Sequence, residues 1–266
     1  MRNLKLLGAE IVKIMGDLKA YWFNYLFGNL NVFFLFLGIF YAFQKSNGTA
    51  IDTFNLLIGL MIWYYGVHAI DLIAIIIEEE AEEGTLEQIF VTRSSFIKVL
   101  FNRIMSQIIF DTIKGVFVFV LCVITFKIPF SFIKSINWLW TLIIFFLTLS
   151  GLYGIGYAVA GLSIIYKKTT AVAGTCSNLL LFFTGIIIDL DKLPKAFIYL
   201  SKVLPLHWGM NTLNDLIRND FQLFKIVRSS NFIYLIISCL FWILFGVFIF
   251  KICEEKARIK GTLNQY

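Results

Sequence analysis

Six stretches of this chain are apolar enough to lie in a lipid bilayer, and that leaves few folds open to it. They fall at about 22–43, 54–77, 104–126, 137–165, 170–188 and 231–251. Most reach the ~18–20 residues that cross a ~30 Å hydrocarbon core. Backbone N–H and C=O groups have no water to bond there, so each crossing must satisfy them within itself, as a helix does. Composition agrees: 59% of the 266 residues are hydrophobic and 15% charged, where a soluble domain keeps about a quarter charged. The expected fold is an all-α membrane protein, a single six-span domain over residues 1–266.

The first twenty residues do not read as a secretory leader, because Arg2, Lys5, Glu10, Lys13, Asp17 and Lys19 interrupt any apolar run. Over 1–21, Leu4, Leu7, Ile11, Ile14 and Leu18 recur at steps of three and four. That is the stripe of an amphipathic helix lying along the membrane surface.

Lysine and arginine bias sets the orientation. With the N-terminus inside, inner segments hold Arg2, Lys5, Lys13, Lys19, Arg93, Lys98, Arg103, Lys167, Lys168, Lys251, Lys256, Arg258 and Lys260. The short outer loops hold Lys45, Lys127 and Lys134. Both termini are therefore expected in the cytoplasm of a multi-pass cell-membrane protein. Residues 189–230 dissent, with six basic residues on the outer side, and read as structured. Leu193, Phe197, Leu200 and Leu204 form one helical stripe there, Leu206, Met210, Leu213 and Ile217 a second, and Pro205 divides them. Two short amphipathic helices over 189–229 would rest at the outer interface or re-enter the membrane, a tolerated irregularity where protein covers it.

The net charge of +6 sits at span ends and forms no stripe for nucleic acid. Cys122, Cys176, Cys239 and Cys253 show neither a CxxC pair nor paired spacing, so no disulfide or metal is implied. Trp22, Trp138 and Trp140 stand near span ends, as an aromatic belt would. Gly151, Gly154, Gly156 and Gly161 with Ala158 and Ala160 suit close helix contact, within the chain or between subunits.

Between the second and third spans the chain reads Glu78-Glu79-Glu80-Ala81-Glu82-Glu83-Gly84-Thr85-Leu86-Glu87-Gln88-Ile89-Phe90-Val91-Thr92. Leu86, Ile89 and Phe90 share one helical face behind an acidic start, and carboxylates favour the positive end of a helix dipole. Such a segment is either a solvated spacer or a docking surface, an apolar knob flanked by charges that set the register.

The order of these residues resembles the "(R/E)E-x-GT-(L/M)-E" signature after the second span of type-2 ABC exporter permeases, drug and antibiotic exporters above all. Leu204-Pro205-Leu206-His207-Trp208 resembles the family's start of the second short outer helix. The resemblance covers nearly the whole chain, although members often carry proline where this chain has Arg93. It implies a permease subunit that exports a hydrophobic or amphipathic compound. Glu79, Glu82, Glu83, Gly84, Thr85, Leu86, Glu87, Ile89 and Phe90 would form a coupling helix docking a cytoplasmic ATPase. Six spans are half of the usual twelve, which implies two permease copies, identical or paralogous, with two ATPase subunits. Gly84 would allow close backbone approach. The chain itself shows no Gly-rich loop ending in Gly-Lys-Ser/Thr, so ATP and magnesium belong to the partner and no cofactor is expected here.

Ionisable residues inside spans are the second signal. His68 and Asp71 share a face of the second span, Asp111 and Lys114 a face of the third, at depths that would allow one interhelical cluster. Ion pairing is the structural reading. The competing function is an ion-coupled carrier using these four as a relay, which usually needs broken helices and inverted halves that the sequence does not show. The sugar-polymer branch of the family usually carries a basic-aromatic N-terminal motif absent here, which disfavours a polysaccharide or teichoic-acid cargo. A lipid-modifying enzyme would need clustered acid–base residues at an interface, where only His207 and Asp215 offer themselves.

Overall fold

A computed structural model describes residues 2–43, 49–82, 84, 96–166, 169–183, 194–218 and 226–260. Among them the regular structure is helical: α1 (Arg2–Ala20), α2 (Trp22–Phe43), α3 (Ala50–Glu82), α4 (Phe96–Thr125), α5 (Phe130–Ser135), α6 (Trp138–Tyr166), α7 (Thr170–Phe183), α8 (Lys195–Val203), α9 (Pro205–Arg218) and α10 (Ser230–Lys260).

Among the described residues, five helices are long and apolar enough to cross a membrane, within α2, α3, α4, α6 and α10. The expected fifth span is described only as the 14-residue α7. At ~1.5 Å per residue this is about 20 Å, short of a ~30 Å core. Several helices outrun their apolar segments. The second begins at Ala50 and ends at Glu82, the third begins at Phe96, and the last runs to Lys260. Charged residues outside the hydrocarbon do not stop a helix, so apolar length understates helical length. α5, which the sequence did not suggest, follows Pro129, whose fixed φ suits a helix start.

Local chemistry sets the boundaries. α3 starts on a reciprocal cap: the Thr49 amide donates to Asp52 Oδ2 at 3.0 Å and the Asp52 amide to Thr49 Oγ1 at 3.3 Å. α4 stops on a Schellman pair, with the Ile128 amide donating to Val123 O and the Lys127 amide to Ile124 O, at 3.2 and 3.3 Å. That geometry puts Lys127 at φ +54°.

The core runs along α3 and α6. α6 packs lengthwise on α10 and on α3. The small residues of α6 make this possible inside one chain: a Cβ on Gly154 would overlap the Trp242–Ile243 backbone, one on Gly156 would overlap Ala69 O, and one on Gly161 would crowd Phe250 Cα. The opposing Gly246 lies against the Gly154 carbonyl. α1 packs on α4, and α2 joins α4 where Phe40 stacks on Phe126 at 3.7 Å.

α8 and α9 turn back into the bundle. Pro205 rests on Gly151, about 20 Å along α6 from its start at ~1.5 Å per residue. The last carbonyls of α8 would be orphans there. Trp208 Nε1 donates to Lys202 O at 2.7 Å and Trp242 Nε1 to Val203 O at 2.8 Å, which satisfies them. α9 buries Leu206, Met210, Leu213 and Ile217, whereas Phe197 and Leu200 of α8 stay exposed. Trp138, at the start of α6, packs against Phe54 and Phe119 and donates to Ile133 O at 3.1 Å.

Candidate functional site

The acidic end of α3 is the strongest candidate. α3 has 33 residues, about 50 Å at ~1.5 Å per residue, so it extends beyond any ~30 Å hydrocarbon core. Its glutamates divide by direction. Glu79 and Glu82 are exposed, as is Gly84 just past the helix end, while Glu78 and Glu80 are buried.

Glu80 forms an ion pair with Arg103 near the start of α4, and the Arg103 Nε also meets Glu10 Oε1 of α1 at 3.3 Å. One guanidinium thus joins three helices, a task suited to its rigid fork of donors. Glu78 turns the other way. Its Oε1 accepts the backbone N–H of Thr169 at 2.5 Å and of Thr170 at 3.0 Å, at the start of α7.

Gly84 has φ +70° and no described atom within 4 Å of where a Cβ would stand. It takes the left-handed backbone that favours glycine, just past the end of α3. Of the other docking candidates, Glu83, Thr85, Leu86, Glu87, Ile89 and Phe90 lie outside the described residues.

The four ionisable residues within spans make their direct bonds to different neighbours, although His68 lies within electrostatic reach of Asp71, Asp111 and Lys114. Asp111, 1% exposed, accepts Lys114 Nζ at 3.1 Å and Gln107 Nε2 at 3.2 Å, both on its own helix. The Lys114 ammonium lies 4.1 Å from the Phe110 ring centre and 5.1 Å from that of Tyr25, and Tyr25 is in the first turn of α2. Asp71 instead accepts Ser177 Oγ of α7 at 2.8 Å. His68 sets its ring edgewise to Tyr64, centroids 4.7 Å apart. Asp71 and Asp111 are thus bonded to different helices, Asp71 to α7 and Asp111 within α4.

Two apolar clefts lie alongside. One of about 330 Å³ opens between α4 and α6, lined by Phe101, Ile104, Met105, Ile108, Tyr153 and Tyr157 among others. Another of about 130 Å³ lies further along the same two helices, against Met61 and Tyr65 of α3. Aromatic and aliphatic walls of this kind take apolar groups.

Sequence reasoning missed the ties of Glu78 and Arg103. Both depend on which helix ends meet, and a single helix's periodicity carries no record of that. His207, buried on α9, pairs its Nε2 with Asn211 Nδ2 at 3.1 Å, while Asp215 accepts Asn231 Nδ2 at 2.8 Å. Each is thus engaged with a different neighbour. Among the described residues no group of three His, Cys, Asp or Glu side chains could hold a metal.

Helices of bilayer length, an exposed acidic helix end and clefts walled by apolar side chains describe a multi-pass membrane protein. The chain belongs to the ABC-2 type transporter family, which matches it over residues 5–217. It is the permease component of an ABC transporter, in a family whose members work with an ATPase subunit. No curated protein matches the chain.

Proposed function

We propose that the chain is the permease half of an ATP-driven exporter that moves a hydrophobic or amphipathic compound outward. A separate cytoplasmic ATPase docks on the acidic end of α3 and supplies ATP and magnesium. The observation that supports this reading is the length of α3, 33 residues where a ~30 Å core needs about 20, with Glu79, Glu82 and Gly84 exposed at its acidic end. Carboxylates around an apolar knob (Leu86, Ile89 and Phe90) give a partner both contact area and charge register. Two permease copies, identical or paralogous, with two ATPase subunits would complete the machine, and both termini face the cytoplasm.

α1 then lies as an amphipathic helix at the inner surface, α7 belongs to the fifth of six spans, and α8–α9 form a re-entrant pair from the outer side. The apolar clefts beside α4 and α6 match an apolar cargo chemically. Nucleotide-driven closure of the ATPase pair pushes the docking end, and the spans tilt around a path between the two halves.

Co-expression with the ATPase subunit tests the docking role. Glu83→Lys and Glu87→Lys each abolish co-purification of the ATPase while the permease still inserts into the membrane. Normal assembly and ATP-dependent transport in both variants would refute it.

A further inference from the structure

α7 packs principally on α3, and polar ties join the two helices at two levels. At the lower level, the first amides of α7 have no partner within their own helix. The residue before that helix, Thr169, is a residue type that usually caps such amides with its own hydroxyl. Here its Oγ1 is instead hydrogen-bonded to Ser163 Oγ of α6. Glu78 of α3 takes over, accepting the Thr169 and Thr170 amides on Oε1 at 2.5 and 3.0 Å. Glu78 is 8% exposed and Thr169 3%. A carboxylate buried to this degree is costly unless bonded, and the positive end of the α7 dipole offsets that cost.

Two turns further into the bundle, Asp71 accepts Ser177 Oγ at 2.8 Å and Trp63 Nε1 donates to Ser177 O at 3.3 Å. The spacing from Asp71 to Glu78 on α3 equals that from Ser177 to Thr170 on α7, with the helices running in opposite directions. Two rungs at matched spacing fix axial position as well as contact. A slide of α7 by one residue, ~1.5 Å, would misplace both together.

We propose that Asp71 and Glu78 are positioning residues that lock α7 to α3 in axial register, so that displacement of the acidic end of α3 is carried into α7. The proposal rests on the reading that the ATPase docks at that end. It assigns the consecutive glutamates separate tasks: Glu79 and Glu82 face outward, Glu80 joins Arg103, and Glu78 grips α7.

The test uses the full chain with its ATPase in lipid nanodiscs, with Cys122, Cys176, Cys239 and Cys253 replaced by alanine. Spin labels stand at Thr175 of α7 and Leu244 of α10, both exposed. The inter-label distance is measured with and without ATP and normalised to bound ATPase. Unsubstituted Glu78 and Glu78→Gln, which keeps a carbonyl acceptor, give a nucleotide-dependent shift. Glu78→Ala loses it, and Ser177→Ala, which removes a rung without touching the docking end, reduces it. Full shifts in both alanine variants would overturn the positioning role and leave docking intact. A complex that binds ATPase yet gives no shift with Glu78 in place would overturn the carrying of movement into α7, while docking itself is judged by co-purification of the ATPase.

Discussion

Gly154 of α6 and Gly246 of α10 meet backbone to backbone, so closely that a Cβ on Gly246 would overlap the Gly154 carbonyl. The contact lets two membrane-crossing helices approach where side chains would hold them apart. Gly246→Ala is therefore expected to lower stability by about 1–3 kcal/mol, the usual cost of overpacking. Gly28→Ala on α2, where nothing lies within 4 Å of the new Cβ, should instead gain up to about 1 kcal/mol from helix propensity. Thermal unfolding of both variants in detergent, followed by size-exclusion fluorescence, reads the difference in sign.

Arg103 bridges Glu80 of α3 and Glu10 of α1, with about a fifth of its side chain exposed. Arg103→Ala takes that partner from both carboxylates. Breaking a buried pair costs roughly 3–5 kcal/mol and an exposed one under about 1, so a loss of about 2 kcal/mol fits this partial burial. Arg103→Lys recovers only part of it, because an ammonium lacks the fork that meets two carboxylates. Hydrogen exchange should quicken in α1 before any other helix. Unchanged exchange in α1 would show that apolar packing on α4 holds it alone.

Lys127 occupies a left-handed backbone at φ +54°, where a Cβ is strained. Lys127→Gly should stabilise the protein by about 0.5–1 kcal/mol, while Lys127→Val should cost about 1–2 kcal/mol through its branched Cβ. Chemical denaturation in mixed micelles distinguishes these outcomes. Equal stability of the two would mean that the turn after α4 relaxes freely.

The helical class was legible because apolar runs of bilayer length leave the backbone one option. The α2 helix and the division between α8 and α9 at Pro205 were equally visible, the first as an uncharged run and the second as a proline between two stripes. Helix ends were not. Glu78 to Glu82 continue α3, with Glu79 and Glu82 exposed and the buried Glu78 and Glu80 bonded to the start of α7 and to Arg103. The glycine run of α6 announced close packing but not its partner, which proved to be α3 and α10 of the same chain. The matched depth of Asp71 and Asp111 was legible, but not that Ser177 bonds Asp71 while Lys114 bonds Asp111. Such choices depend on rotation about each helix axis, which tertiary packing sets.

Sidedness of the α3 tip is the most direct test of a permease driven from outside the bilayer. Glu82→Cys, in the background lacking the four native cysteines, should react with a membrane-impermeant maleimide in inside-out vesicles. Added ATPase subunit should protect it, and sealed right-side-out vesicles should leave it unlabelled. Labelling confined to right-side-out vesicles, or labelling that bound ATPase does not slow, would contradict the account.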